Sequence, residues 1–198
     1  MRRQILVSLA VAAVAAILPA AAQSSRVERS QAEIAFEKAE VNFAAKRDAR
    51  KAAATACAAK DYEACVSQGD LYRKGEGGVQ DYDLAAKAYN RACAGGNGEG
   101  CASLAYLTSL GRGVETNQTE ARRLYKLSCD YGETSGCAGY GNMVFTGTGG
   151  PKNTAEGGEA LRQSCVQGYK WACTRLQELG GFDPNVPFSE QMMRLRDR

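Results

Sequence analysis

No histidine occurs in the 198 residues. Its absence removes the commonest general base and the commonest metal ligand. Pairs of cysteines three residues apart, the C-x-x-C spacing of redox dithiols, are missing too. Net charge is small: Lys and Arg exceed Asp and Glu by 3. A chain so nearly neutral has no broad electrostatic claim on nucleic acid or acidic membranes. The apolar run Ile5–Leu18 is too short for a spanning helix of about 20 residues, so no stable membrane insertion is expected.

What the chain does contain is regular cysteine. The eight fall at Cys57, Cys65, Cys93, Cys101, Cys129, Cys137, Cys165 and Cys173, alternately 8 and 28 residues apart, a period of 36. Free reactive thiols have no reason to keep such spacing, whereas staples on copies of one unit do. The pattern predicts an internal repeat, an oxidising compartment and a solenoid. With its cysteines committed in this way and no histidine, the chain offers no metal site, and a zinc hydrolase is excluded.

The compartment has separate support. Residues 1–22 read as a secretory leader: basic Arg2 and Arg3, the apolar run, helix-breaking Pro19, then Ala20-Ala21-Ala22 as the cleavage site before Gln23. Without Arg2 and Arg3 the net charge falls to about +1, and about 176 residues remain, a length suited to one domain. The expected location is periplasmic or secreted.

Three full units superpose without a gap: Cys65–Cys93, Cys101–Cys129 and Cys137–Cys165. Each reads as helix, glycine turn, helix. The turns carry Gly75-x-Gly77, Gly111-x-Gly113 and Gly147-x-Gly149, glycine being suited to the left-handed backbone past a helix end. Asp81, Asn117 and Asn153 are the N-caps expected for the second helices, with Glu120 and Glu156 placed for a capping box. Leu84, Ala85, Ala88 and Tyr89 then recur at helical spacing, as do Ala121, Leu124 and Tyr125. Gly157 and Gly158 lie inside the third unit's second helix, where each costs about 0.8–1 kcal/mol relative to Ala, and this helix is expected to be the least stable. In the first helices Leu71, Leu107 and Met143 are equivalent. Small Gly69, Ala105 and Gly141 two places earlier admit a neighbouring helix.

The ends differ from the middle. Residues 23–56 are expected to form an N-terminal helical cap, with Ile34 and Val41, and Phe36 and Phe43, at heptad distance and a possible break near 43–46. Residues 57–179 form the solenoid, three full units and a partial fourth. Residues 180–198 are a Pro-broken tail that either folds back on the last helix or stays loose.

The run Gly69-x-Leu71-Tyr72-x-x-Gly75-x-Gly77 and the run Ala85-x-x-x-Tyr89-x-x-Ala92 resemble the Sel-one-like repeat (SLR), a relative of the tetratricopeptide repeat. The cysteine placement is similar to that of the secreted, cysteine-rich Hcp branch. The resemblance implies an all-α, right-handed α-solenoid of two-helix repeats in which a cysteine ending one repeat pairs with one opening the next. The pairs would be Cys57–Cys65, Cys93–Cys101, Cys129–Cys137 and Cys165–Cys173, each closing the short link between consecutive helices.

Some Hcp-like proteins carry a β-lactamase or penicillin-binding label, which makes such a hydrolase the alternative function. Its serine chemistry needs Ser-x-x-Lys on a helix. Ser67, Ser103, Ser109 and Ser164 are followed three places on by Asp70, Tyr106, Arg112 and Gln167, so no catalytic residue is assigned. Gly147-Thr148-Gly149-Gly150-Pro151-Lys152 superficially resembles a phosphate loop but lacks its spacing and sits where every unit turns. No cofactor is expected. Binding remains. First helices of such solenoids line a concave groove. The positions left free by the core are Ser67, Asp70 and Lys74, then Ser103, Tyr106 and Leu110, then Asn142 and Thr146, then Arg175, flanked by Arg73 and Phe145. Asp70, Lys74, Tyr106, Leu110, Asn142, Phe145 and Arg175 are the candidate contacts for a protein or peptide partner in the periplasm or envelope. Tyr106, Leu110 and Phe145 form its expected exposed centre. Trp171, the only tryptophan, is expected to pack the C-terminal end. The chain is expected to be monomeric.

Overall fold

The computed structural model describes residues 20–180, 183–187 and 190–191, with side chains from Ser30 onward. Most of the expected leader, residues 1–19, lies outside the described residues. Among the described residues the chain is all helix: α1 Ala20–Ala58, α2 Tyr62–Lys74, α3 Tyr82–Ala94, α4 Gly98–Leu110, α5 Gln118–Asp130, α6 Thr134–Thr146, α7 Thr154–Val166 and α8 Lys170–Gly180. No described helix is long and apolar enough to cross a membrane.

The six helices α2–α7 each have 13 residues, because the same stop and start signals recur. Gly75, Gly111 and Gly147 end the first helix of each unit in the left-handed region. The expected caps start the second: Asp81, Asn117 and Asn153 accept hydrogen bonds from the backbone N–H of Leu84, Glu120 and Glu156 at 2.9–3.1 Å. The capping boxes are only half made. Glu120 pairs with Arg123 and Glu156 takes the Asn153 amide. The backbone N–H of Asn117 and Asn153 donates instead to Thr108 and Val144 carbonyls across the turn. Leu84 is a correction. It occupies the capping-box position and is 37 % exposed rather than part of the core.

Four disulfides join Cys57–Cys65, Cys93–Cys101, Cys129–Cys137 and Cys165–Cys173, with Cα atoms 4.4–4.7 Å apart, and no cysteine is free. Each bridge ties the end of one helix to the start of the next, across unit boundaries. Such a set belongs to an oxidising, extracytoplasmic environment.

The core between units is lean. Six alanines, among them Ala85, Ala105 and Ala138, have no exposed surface, and Tyr89, Leu107 and Leu161 are the largest side chains that are fully enclosed. Small residues allow the approach. A Cβ on Gly69 would lie 2.5 Å from the Tyr89 ring. The glycine expected to weaken α7 has a similar use, since a Cβ on Gly157 would strike the backbone of Phe145 on α6.

The compact units are Met1–Ala45 and Lys46–Arg198. In the second unit the turn glycines Gly77, Gly113 and Gly149 have φ of 68–72°. A Cβ on them would collide with the backbone of Lys46, Tyr82 and Gln118 respectively. Those three positions are 36 apart, so the stretch of α1 from Lys46 occupies the place of a second helix. Arg50 and Arg122, two periods apart, both reach the next turn, donating to the Val79 and Pro151 carbonyls at 3.1 and 2.9 Å. Arg50 also stacks on Tyr72, 3.8 Å from its ring centre.

In the first unit α1 runs on without the possible break near 43–46. Its heptad-spaced residues are exposed, from 50 % for Ile34 to 65 % for Phe36 and Val41. At about 100° per residue, Ile34 and Val41 face opposite to Phe36 and Phe43, so they form no single seam. At the other end, the described part of the tail folds back: Arg162 on α7 donates to the Pro184 carbonyl at 3.1 Å.

Candidate functional site: an aromatic groove with an acidic end

The first helices α2, α4 and α6 and the start of α8 present equivalent positions side by side. At one register the residues run Glu63, Glu99, Ser135, Trp171; at another, Ser67, Ser103, Gly139, Arg175; at a third, Asp70, Tyr106, Asn142, Glu178. The first row changes from acidic to aromatic along the array. Two cavities follow that change.

The aromatic cavity has a volume of about 470 Å³ and is lined by Arg73, Ser103, Tyr106, Tyr125, Tyr169 and Trp171, among others. Tyr106 and Trp171 are each 45 % exposed. Trp171 therefore lines the groove instead of packing the C-terminal end, with its ring 6.2 Å from that of Tyr169. Tyr125 reaches the groove from the second layer because Gly139 has no side chain. A Cβ there would lie 2.5 Å from the Tyr125 ring. Burial, with smaller contributions from Tyr169 and Tyr106, pushes the Tyr125 phenol far above its ordinary range. It stays a neutral hydroxyl.

The acidic cavity, about 490 Å³, adjoins it and is lined by Glu63, Ser67, Asp70, Asn97, Glu99 and Glu133, among others. Partial desolvation, then the charges of Glu133, Asp70 and Glu63, raise the carboxyl of Glu99 above its ordinary value. No cation among the described residues forms an ion pair with Glu63, Glu99 or Glu133.

The seven expected groove residues separate into different roles. Tyr106 lines the cavity. Leu110 is exposed at 46 % but is not part of the cavity wall. Asn142 accepts from Arg175 at 2.7 Å, tying α6 to α8, and Arg175 also meets Glu178. Phe145 is a correction. It is half-buried against the C-terminal core cluster that includes Leu161 and Leu176, and contributes to no exposed patch. Asp70 and Lys74 form an ion pair at 3.1 Å. Asp70 also accepts from the hydroxyl of buried Tyr89 at 2.6 Å and from Arg73 at 3.2 Å.

Burial alone would raise the Asp70 pKa. Hydrogen bonds from Tyr89 and Lys74 and the charge of Arg73 outweigh it and hold the carboxyl below its usual 3.8. Asp70 thus supports the groove wall. Replacing it with Asn should destabilise the chain by about 1–3 kcal/mol at pH 7, as loss of a charged partner of a buried hydroxyl does. A carboxylate with a depressed folded pKa stabilises above its unfolded pKa and loses that contribution as pH falls through the folded value. The gap between wild type and Asp70→Asn in urea melts should therefore close below pH 3.8. An equal gap at pH 7 and pH 2 would refute this role.

Residue-type reasoning missed Tyr125, Tyr169, Trp171 and the acids Glu63, Glu99 and Glu133. The 36-residue register extended to the first turn of each first helix finds Glu63, Glu99 and Trp171, and extended to the residue before that turn it finds Glu133 and Tyr169. Tyr125 lies on the second helix α5 and is brought in by Gly139.

By fold and site the chain is a disulfide-stapled, two-helix repeat protein, a class whose concave surfaces serve as protein-interaction scaffolds. Its repeat is similar to the Sel-one-like repeat of solved structures. The antigen c5321 of uropathogenic Escherichia coli, which displays an SLR fold, is 28 % identical over 73 % of this chain, with a TM-score of 0.61. This match covers 34 % of c5321, so the chain spans about a third of that protein. A Sel1 repeat protein from Oxalobacter formigenes is 23 % identical, covering 71 % of this chain and 98 % of its own, with a TM-score of 0.53. Helicobacter pylori cysteine rich protein B is 23 % identical, covering 66 % and 96 %, with a TM-score of 0.52. These two share the fold. No family model and no curated protein matches the sequence.

Proposed function

We propose that the chain is an exported, monomeric scaffold of the bacterial envelope whose first helices hold a protein or peptide partner in the groove. The observation that carries the reading is the aromatic cavity, in which Tyr106 and Trp171 remain half exposed. Aromatic side chains of this kind anchor interfaces when a partner covers them. The leader-like residues 1–22 and four disulfides support export. A hydrolase reading has no such support, since no serine is followed three places on by lysine in the first helices.

Partner capture on the oxidised chain tests the proposal, using periplasmic extract and both wild type and Tyr106→Ala. The variant should lose more than about 1 kcal/mol of binding, as interface anchors do. Its melting curve should shift little, because an exposed site changes stability by about 0.5 kcal/mol or less. Undiminished capture by Tyr106→Ala would remove the groove as the binding face.

A further inference from the structure

Resting on that reading, the groove also shows what its occupant is made of. The two cavities share walls. On α4, Glu99 lines the acidic one, and Ser103 and Tyr106 line the aromatic one. On α2, Asp70 lines the first and Arg73 the second. One ligand lying along the groove meets both.

The signs of the charges restrict it. Four carboxylates, Glu63, Asp70, Glu99 and Glu133, line the pair of cavities. Asp70 is paired with Arg73 and Lys74, which leaves Glu63, Glu99 and Glu133 without an ion-pair partner among the described residues. The carboxyl of Glu99 is raised first by partial burial and then by the neighbouring charges of Glu133, Asp70 and Glu63. Anionic occupants, including acidic wall fragments and β-lactam carboxylates, are repelled by such a field. A basic side chain is attracted, and an adjoining aromatic ring would stack against Tyr106, Tyr125 and Trp171.

Spacing gives the register. Glu99 and Tyr106 are seven residues apart on one helix, about 10 Å along its axis. An extended peptide covers that in about three residues. We propose that the groove of this chain binds an extended peptide in which a basic side chain stands two or three residues from an aromatic one. The basic head lies among Glu63, Glu99 and Glu133, and the ring lies in the Tyr106–Trp171 cavity.

The single tryptophan makes this measurable, because Trp171 reports directly on the aromatic cavity. The oxidised chain is titrated, by fluorescence and calorimetry together, with a glycine-spaced heptapeptide bearing two arginines and a central phenylalanine. Three comparison ligands are used: the peptide with glutamates for arginines, the peptide with alanine for phenylalanine, and a soluble wall disaccharide. The arginine–phenylalanine peptide should shift Trp171 emission and bind at least about tenfold more tightly than each of the three. Glu99→Gln combined with Glu133→Gln should remove about tenfold of that affinity, and raising salt should weaken the wild type more than the double variant. Equal affinity for the arginine and glutamate peptides, both lost in Tyr106→Ala, overturns the charge assignment and leaves the groove standing. Binding of the disaccharide alone, or of no peptide, overturns the peptide proposal. Peptide binding untouched by Tyr106→Ala overturns the groove itself.

Discussion

Reduction of the four disulfides should lower the melting temperature by about 20–40 °C. Each bridge closes a loop between cysteines 8 apart, for which loop-closure entropy gives about 2.5 kcal/mol. The loops do not overlap, so the four together contribute about 10 kcal/mol, comparable with the 5–15 kcal/mol by which typical domains are stable. For a chain of this size each kcal/mol moves the midpoint by about 2–4 °C. The dependence is strong because the core is lean, its enclosed positions being largely alanine and glycine. The bridges should also open in order. Cys57–Cys65 and Cys93–Cys101 are buried at 5 % exposure or less, whereas Cys129, Cys137 and Cys173 are partly accessible. Access governs attack by an external thiol, so timed alkylation and mass mapping should find the two C-terminal bridges reduced first. Equal melting points for oxidised and reduced protein would show that the helices hold without their staples.

The units themselves were legible in the sequence, because their signals are local. Left-handed glycine ends a helix, Asp or Asn begins one, and a fixed cysteine spacing brings two helix ends together. Each acts within a few residues, and each is repeated, so one reading is checked three times. The groove was less legible. Asp70 has the same register as Tyr106 and looked equally free. Its role depends on Tyr89, 19 residues on, whose hydroxyl needs a buried acceptor. Phe145 sits beside an exposed stripe on its helix, yet the C-terminal cluster covers it. Leu84 shows the converse, an apolar residue at a position where the neighbouring units have glutamate. Trp171 was assigned to the C-terminal end from its place between Cys165 and Cys173. Its ring instead stays 45 % exposed and lines the aromatic cavity beside Tyr169.

The dependence of the array on its turns can be tested at one atom. Gly113→Ala should destabilise the chain by about 2–5 kcal/mol, from two separable sources. Its backbone has φ of 68°, where a non-glycine residue costs about 1–2 kcal/mol. In addition, the new Cβ would run into the carbonyl of Tyr82 at the start of α3, and overpacking against unyielding atoms costs about 1–3 kcal/mol. Gly132 is the control. Its φ is 84°, and nothing lies within 4 Å of where its Cβ would stand, so Gly132→Ala carries the backbone strain alone. The difference between the two variants in urea melts therefore measures how tightly each turn seats on the preceding second helix. Gly77 and Gly149 make the same contact one unit to either side, with Lys46 and Gln118. A loss at all three, set against a small loss at Gly132, would mean that adjoining units lock backbone to backbone. The groove would then be held rigid by its turns as well as by its disulfides, and a partner would meet its aromatic and acidic walls already in place. Equal losses at Gly113 and Gly132 would show that the turn yields to accommodate the methyl group, and that the disulfides and helix contacts alone set the spacing of the units.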